Sequence, residues 1–362
     1  MRVRGFTLIE LMVAVALGLV ATIVIAQVFL QSEGNKRSTT AGSDAQVAGA
    51  SALFSMQRDI QMAGYGLTGM PAAVGCPTTA KKSGTAVLTS DPLVPVHIAS
   101  SGSNKVSDTV TVLYSQGAMG YSVPIKVTET HLPTDPSFLV PSTWGVTAGD
   151  LLVVAPATWT AGTSECTLFQ ATASTDATRV KHDGAVSWNT NLGTTIPAAG
   201  YPAGSVLLNL GSAPVRRRYS VNTGTWNLQG LELGASDARD LFPQIVLLKA
   251  LYGKASVANG PVVKFEVAAP ATNADWRLVQ AIRIVVVARS AQRENLKDPK
   301  VTAAANLVWD MGPLAVVSGS TACNGNSKCL TLDVSATGTD WEYYRYKIFD
   351  AVVPMRNAVW NQ

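Results

Sequence analysis

Charged side chains are scarce in this sequence. Asp, Glu, Lys and Arg together make up 14% of the 362 residues, and the formal net charge is +4. Without Arg2 and Arg4, which precede the first apolar run, 26 basic residues stand against 24 acidic ones, a net +2. Nucleic-acid-binding domains depend on a clustered excess of positive charge. We therefore expect no nucleic-acid partner.

Histidine and cysteine are almost as rare. The three histidines, His97, His131 and His182, are scattered along the chain, and no Cys-x-x-Cys motif occurs. Zinc sites in proteins are built from closely spaced Cys and His ligands. The sequence therefore predicts no metal and no cofactor, although a zinc site remains the competing interpretation of the cysteines.

The four cysteines allow three disulfide pairings. Cys323 and Cys329 flank a short turn-forming loop that a disulfide can close, which leaves Cys76 and Cys166 as the second pair. We favour Cys323–Cys329 with Cys76–Cys166. Disulfides persist in oxidising compartments such as the periplasm.

Catalytic motifs are also missing, since the sequence has neither a Gly-x-Ser-x-Gly elbow nor a Walker loop. Gly64–Gly69 fits Gly-x-Gly-x-x-Gly, but it follows a predicted helix, whereas a dinucleotide site needs that motif between a strand and a helix. Arg216–Arg218 is the most concentrated basic patch, and we interpret it as protection of an edge strand. Asp237 and Asp240 flank Arg239, so solvated pairing is expected there. No enzymatic function is predicted.

The N-terminal region carries the most informative motif. A short basic leader, residues 1–5, precedes Phe6-Thr7-Leu8-Ile9-Glu10, and Leu11–Leu30 is a run of twenty residues without a charge. About 20 apolar residues are enough for a helix to cross a bilayer. A carboxylate at the start of such a run is costly, so Glu10 is expected to be functional. An ordinary secretory signal peptide is the alternative, but its apolar core is usually shorter.

This N-terminal string resembles the type III signal of type IV prepilins and pseudopilins. The resemblance implies that prepilin peptidase cuts between Gly5 and Phe6 and methylates the new amine of Phe6. It also implies that Glu10 pairs with the N-terminal amine of a neighbouring subunit during filament assembly. Pairing of Glu10 with its own N-terminus is the alternative, and both can occur at different assembly stages.

Beyond the leader, the pattern predicts an α+β fold of the type IV pilin kind. A long N-terminal helix over residues 6–64, membrane-spanning over 6–30 and loosened near 34–43, packs on a large antiparallel β-rich domain over residues 65–362. The second half of this helix, with apolar positions Val47, Ala50, Phe54 and Ile60, is expected to pack on the domain. The apolar face of residues 44–64 and the region 78–234 are also expected to supply contacts with other minor pilins. Strands are predicted at 109–114, 150–154, 166–171, 206–210, 218–221, 281–288 and 343–353. The spacing of Leu241, Ile245, Leu248 and Tyr252 instead predicts a helix over 240–252.

Three distal stretches, 58–65, 276–290 and 344–357, resemble PilW-type minor pilins, whereas 78–234 resembles no family that we identify. The resemblance implies a minor pilin of a tip-located initiating complex that primes pilus assembly and supports adhesion and twitching motility. It implies as partners other minor pilins, the major pilin, a tip-associated adhesin, prepilin peptidase and the inner-membrane assembly platform. The expected location is the inner membrane, with a periplasmic domain, and then the pilus. A J-type pseudopilin of type II secretion and a pilus-mounted adhesin are the alternatives.

Overall fold

The structure is a computed structural model that describes residues 7–67, 69–116, 123–160, 166–183, 186–293 and 307–357, apart from the side chains of 34, 35 and 37–41. Its first element is a single helix, α1, over Leu8–Met62. The helix runs without a break through 34–43, where Gly34 and Gly42 predict a weaker segment. Gly64, at φ +84°, ends it by donating its N–H to the carbonyl of Leu113 at 2.9 Å.

Sheet I has six strands in the order β2-β1-β8-β7-β10-β5. Its strands are β1 (Pro77–Lys82), β2 (Thr85–Pro92), β5 (Ile125–Lys126), β7 (Leu151–Ala155), β8 (Cys166–Gln170) and β10 (Val206–Gly211). The sheet is antiparallel except where β1 and β8 run parallel. All five residues of β7 are buried, because apolar clusters cover both faces of the sheet.

Two five-stranded sheets complete the domain. Sheet II has the order β13-β12-β11-β4-β3, and sheet III the order β18-β15-β14-β16-β21. The strands of sheet II are β3 (Val96–Ala99), β4 (Thr109–Tyr114), β11 (Val215–Asn222), β12 (Asn227–Glu232) and β13 (Arg239–Phe242). The strands of sheet III are β14 (Ile245–Ala255), β15 (Val262–Glu266), β16 (Val279–Arg289), β18 (Ala315–Val316) and β21 (Tyr346–Pro354).

The remaining described elements are small. They are a ladder of β17 (Val308–Asp310), β20 (Lys328–Thr331) and β19 (Thr321–Ala322), a pair of β6 (Ser137–Leu139) and β9 (Arg179–Lys181), the helix α2 (Asn273–Arg277), and five 3-10 turns at Pro71–Ala73, Ser187–Asn189, Leu192–Thr194, Ser335–Thr337 and Trp341–Tyr343.

The helix predicted over 240–252 is wrong, because this stretch forms β13 and β14 around a turn at Pro243–Gln244. Every residue of β14 is buried. The strand pairs with β15 and β16 and is covered on both faces, so it needs apolar residues throughout and shows no alternation. A continuous apolar run satisfies helical spacing by chance.

The core that joins the helix to the domain lies between α1, sheet II and sheet III. It contains Met56 and Ile60 from α1, Val110 and Tyr219 from sheet II, and residues such as Ile282 from sheet III. A second apolar cluster fills the other face of sheet III, and two more enclose sheet I. The predicted α+β architecture, a long N-terminal helix on a large β-rich domain, is confirmed.

Candidate functional site

The start of α1 is closed by a capping box made of Thr7 and Glu10. Thr7 Oγ1 accepts a hydrogen bond from the Glu10 backbone N–H at 3.3 Å. The Glu10 carboxylate in turn accepts from the backbone N–H of Thr7 at 3.1 Å and from its hydroxyl at 3.0 Å. The carboxylate is thereby held against the end of the helix, where the unpaired N–H groups attract negative charge. Gly5 and Phe6, the predicted cleavage site, lie outside the described residues.

The first half of α1 is long and apolar enough to cross a membrane. The candidate span is Leu8–Glu33, 26 residues whose most apolar window has a mean hydropathy of 2.7, and none of that window is buried against the domain. At about 1.5 Å per residue such a helix exceeds the roughly 30 Å hydrocarbon core. The glutamate at position 10 therefore lies near one end of this apolar segment.

The second half of α1 contacts the domain through a different face from the one predicted. The buried stripe consists of Ala45, Gly49, Ala52, Met56 and Ile60. Small residues let the helix lie close to sheet III, since a Cβ on Gly49 would come within 2.1 Å of the Phe349 ring. The helix and the sheet are therefore in contact because their backbones lie close together, without large side chains on the helix at this point.

A second apolar stripe on α1 faces solvent. Val47 is 63% exposed, Phe54 68% and Met62 42%, and Ala50 is also exposed. The prediction that Val47, Ala50 and Phe54 pack on the domain is therefore wrong, and only Ile60 of that set is in the core. An exposed apolar stripe on a helix is typical of an interaction surface.

A buried polar cluster fixes the last turns of α1 to sheet II. The carboxylate of Asp59 accepts hydrogen bonds from Arg217 Nη1 at 2.8 Å, from the Tyr219 hydroxyl at 2.6 Å and from the Tyr114 hydroxyl at 3.3 Å. Arg217 also donates through Nε to Glu232 at 2.5 Å. Burial, together with the charge of Asp59, raises the pKa of Tyr114 to about 12 and shifts the pKa of Tyr219 in the same direction. Both tyrosines therefore remain protonated donors.

This cluster corrects the interpretation of the triple arginine. Strand β11 lies between β4 and β12 in sheet II, so Arg216–Arg218 does not protect a sheet edge. Arg217 holds the helix through Asp59, and Arg216 pairs with Asp91 at 3.1 Å. The sequence contained no local sign of these partners, since Asp59 and Arg217 are 158 residues apart.

Both disulfides occur in the structure, Cys76–Cys166 with a sequence separation of 90 and Cys323–Cys329 with a separation of 6. Cys76 and Cys166 are fully buried and join the first strand region of sheet I to β8, beside the parallel pairing of Thr78 with Cys166. In the described part of the chain one group of three potential metal ligands occurs, Asp310 with Cys323 and Cys329. Its two sulfur atoms are bonded to each other, so it offers no thiolate.

The histidines are not all scattered. The Nε2 atoms of His131 and His182 lie 2.8 Å apart in the core beneath sheet I, and the Phe138 ring stacks on His131 at 3.7 Å. Burial, and secondarily the neighbouring His131, lower the pKa of His182 to about 4, and burial lowers the pKa of His131 as well. Both rings are therefore neutral at pH 7 and belong to the core. His97 lies apart, against Trp276.

A cavity of about 630 Å³ opens between the loop 100–108 and sheet III. Lys249 lies in its wall, but its ammonium group is already bound by Asp108 at 2.5 Å, Ser101 at 3.1 Å and two backbone carbonyls. Asp108 and Lys249 satisfy each other, and Glu266 in the same wall is paired with Lys254 and Lys264 outside it, so these charged groups do not converge on a ligand.

Comparison with protein families gives two matches. Residues 1–26 match the prokaryotic N-terminal methylation motif, and residues 215–357 match the family of type IV pilus-assembly protein W. The second match begins at the first residue of β11 and extends past β21, so it includes the strands of sheet III and none of those of sheet I. The comparisons with curated proteins and with solved structures gave no match.

Proposed function

We propose that this chain, which matches the family of type IV pilus-assembly protein W over residues 215–357 and the N-terminal methylation motif over residues 1–26, is a type IV pilus-related minor pilin that acts at the pilus tip. There it joins an initiating complex of minor pilins that primes pilus assembly and so supports adhesion and twitching motility. Pilin-family domains are structural components, so the proposed role is one of assembly rather than catalysis.

The observation that carries this proposal is that the second half of α1 has two apolar faces, one buried on the domain and one exposed. One face of its second half is buried on the domain, while Val47, Ala50, Phe54 and Met62 on another face remain exposed. A helix with a second apolar face needs a second partner. The helices of other minor pilins and of the major pilin supply such a partner, because each presents an apolar helix of its own.

The size of the domain favours the tip over the filament shaft. About 300 residues follow α1, and sheets II and III pack against it. In a filament whose subunits rise by only a few helical turns, such a domain crowds the subunit above it. A subunit at the tip has no neighbour above, so a low-copy tip position relieves the crowding.

The N-terminus fits the same proposal. We infer that prepilin peptidase cuts between Gly5 and Phe6 and that the inner-membrane assembly platform then extracts the anchored, periplasmic protein. Glu10 caps its own helix through Thr7. In the filament its carboxylate also neutralises the amine of a neighbouring Phe6, since an unpaired charge is costly in an apolar core.

Deletion and quantitative mass spectrometry test this function. We expect a clean deletion to abolish or sharply reduce surface pili while major-pilin synthesis stays normal, and complementation to restore piliation. In purified pili, the protein should be far less abundant than the major pilin, and its N-terminus should be methylated Phe6. Normal piliation without the protein, or abundance equal to the major pilin, refutes the tip role. Retention of Met1 refutes the processing.

A ligand-binding role has one specific observation in its favour. Sheet I and its clusters lie outside the stretch that matches the pilus-assembly family. A pilus-mounted adhesin would use this region for a surface ligand or for docking a tip-associated adhesin. Exchange of the sheet I strands for those of another species should then change adhesion while leaving pilus number constant.

A further inference from the structure

Strand β21 leaves one side of sheet III open. It pairs with β16 over all nine of its residues, and none of the described residues forms a strand on its other side. The two ends of the pairing fix which backbone groups point outward. Ser290 donates to the carbonyl of Arg345, and Met355 donates to the carbonyl of Gln280, so residues 345 and 355 face β16. Since the direction alternates along an antiparallel strand, the backbone groups of 346, 348, 350, 352 and 354 face away.

These outward groups have no partner among the described residues. No hydrogen bond reaches the backbone N–H or C=O of Tyr346, Ile348, Asp350 or Val352 on that side. At the end of the row stands Pro354, which has a carbonyl but no N–H to offer. The open edge is therefore a run of four complete donor–acceptor positions closed by a proline.

The other described sheet edges are protected by shortness or by irregularity. Strands β3 and β13 at the edges of sheet II have four residues each, and β5 and β18 have two each. Strand β2 has eight, but its pairing is interrupted by register shifts and by Ser90 at φ +56°. The pairing of β21 has no such shift. Long, regular, open edges are the ones that accept another strand.

The charge beside this edge defines the partner. The charged residues of β21 and its immediate flanks are Arg345, Lys347, Asp350 and Arg356. Asp350 is paired with Arg283 at 2.5 Å, so the exposed Lys347 and Arg356 give this strand an excess of positive charge without counting Arg345. A second copy would bring two such basic edges together in antiparallel register. A strand with acidic residues complements the edge instead, and Val352, which is 48% exposed, offers it an apolar contact.

We propose that β21 receives an extended, acidic strand from a different subunit of the pilus by β-strand addition. The interaction extends sheet III by one strand beside α1, where Phe349 already packs on Gly49. Main-chain hydrogen bonds to positions 346, 348, 350 and 352 provide the affinity, and the cations provide the selectivity. This inference rests on the proposed function, because the partner is another subunit of the same pilus.

The test removes one outward backbone N–H, that of Val352, while keeping the hydrogen bonds between β21 and β16. Val352→Pro removes that donor, and Val352→Ala removes the same side-chain contact but keeps the donor. The full-length protein in mild detergent is titrated with each of the other purified minor pilins of the same pilus. We expect wild type and Val352→Ala to bind one of them within about threefold of each other, and Val352→Pro to bind it about tenfold more weakly, since a lost hydrogen bond leaves its partner unsatisfied.

Hydrogen exchange on the wild-type complex provides a second readout that does not depend on a variant folding. The amides of 346, 348, 350 and 352 should exchange fast in the free protein and become protected in the complex. Equal binding by Val352→Pro and Val352→Ala, or unchanged exchange in the complex, overturns the strand addition. If deletion of the protein still abolishes pili, the proposed function survives that result.

Discussion

Loss of the Asp59 carboxylate should loosen α1 from the domain. Asp59→Ala removes the acceptor of three hydrogen bonds and leaves the buried hydroxyl of Tyr219 without one. Removing one partner of a buried ion pair costs about 3–5 kcal/mol. Arg217 retains Glu232, and its side chain is 26% exposed, so we expect the lower end, about 3 kcal/mol. Asp59→Asn, which keeps an acceptor in place, should cost about 1–2 kcal/mol.

Urea unfolding of the full chain in mild detergent measures this loss. Tryptophan fluorescence follows the domain, and circular dichroism follows α1. With a slope of about 3 kcal/mol per M for a domain of this size, a loss of 3 kcal/mol lowers the midpoint by about 1 M. Glu232→Ala is the matched control, because it removes the more exposed partner of the same arginine and should cost under about 1 kcal/mol.

The coupling energy between Asp59 and Arg217 shows whether they stabilise the chain as an ion pair or through independent contacts. If Asp59 stabilises the chain mainly through Arg217, the double variant Asp59→Ala/Arg217→Met should be less destabilised than the sum of the single variants. Equal midpoint shifts for Asp59→Ala and Glu232→Ala, or strictly additive losses in the double variant, would refute the role assigned to this cluster.

The remaining predictions concern processing, covalent links and pH. Glu10→Ala should still insert and be cleaved, because the change only adds apolar character, yet be depleted from sheared pili; normal recovery there contradicts the pairing role. Replacing Cys76 and Cys166 by Ala should lower the free energy of unfolding by about 4–5 kcal/mol in the chain-entropy model, because that disulfide closes a long loop. Replacing Cys323 and Cys329 by Ala should lower it by about 2 kcal/mol, because that loop is short. Equal shifts of the urea midpoints of the two variants would contradict this difference. The pKa of His182, about 4 in the folded chain and 6.5 when unfolded, means that the unfolded chain binds more protons between these values. Stability should therefore fall by up to about 3 kcal/mol as pH drops from 6.5 to 4, and His182→Gln should flatten this dependence in urea titrations at several pH values.

Elements with a local hydrophobic pattern could be predicted from the sequence, whereas contacts between residues far apart in the sequence could not. The apolar run after Glu10 and seven of the strands in sheets I to III follow from local patterns, namely β4, β7, β8, β10, β11, β16 and β21. The face of α1 that contacts the domain does not, because the sheet selects small residues such as Gly49 and Ala52 for close approach and leaves the larger Phe54 outside. A hydrophobicity pattern ranks these residues in the opposite order.

Strand β14 and the distant polar contacts could not be predicted from the sequence, for two further reasons. In β14 burial on both faces removes the alternation by which a strand is distinguished from a helix. The partners of Arg217 and the contact of His131 with His182 join residues from distant parts of the sequence, and only the fold brings them together. The open edge of β21 could not be predicted for the same reason, because whether that edge is paired depends on where the fold places the other strands.

The link between Cys76 and Cys166 has a mechanical consequence when the chain is under tension. Tension applied along the chain can extend only those residues that lie outside a covalent loop. The segment between these cysteines, with a sequence separation of 90 and about 300 Å of contour at full extension, is protected from any such stretching. Sheet I straddles this loop, with β1 and β8 at its two ends. However hard α1 is pulled, the two segments that build sheet I cannot be drawn apart where the bond joins them, so the first extension must come from other parts of the chain.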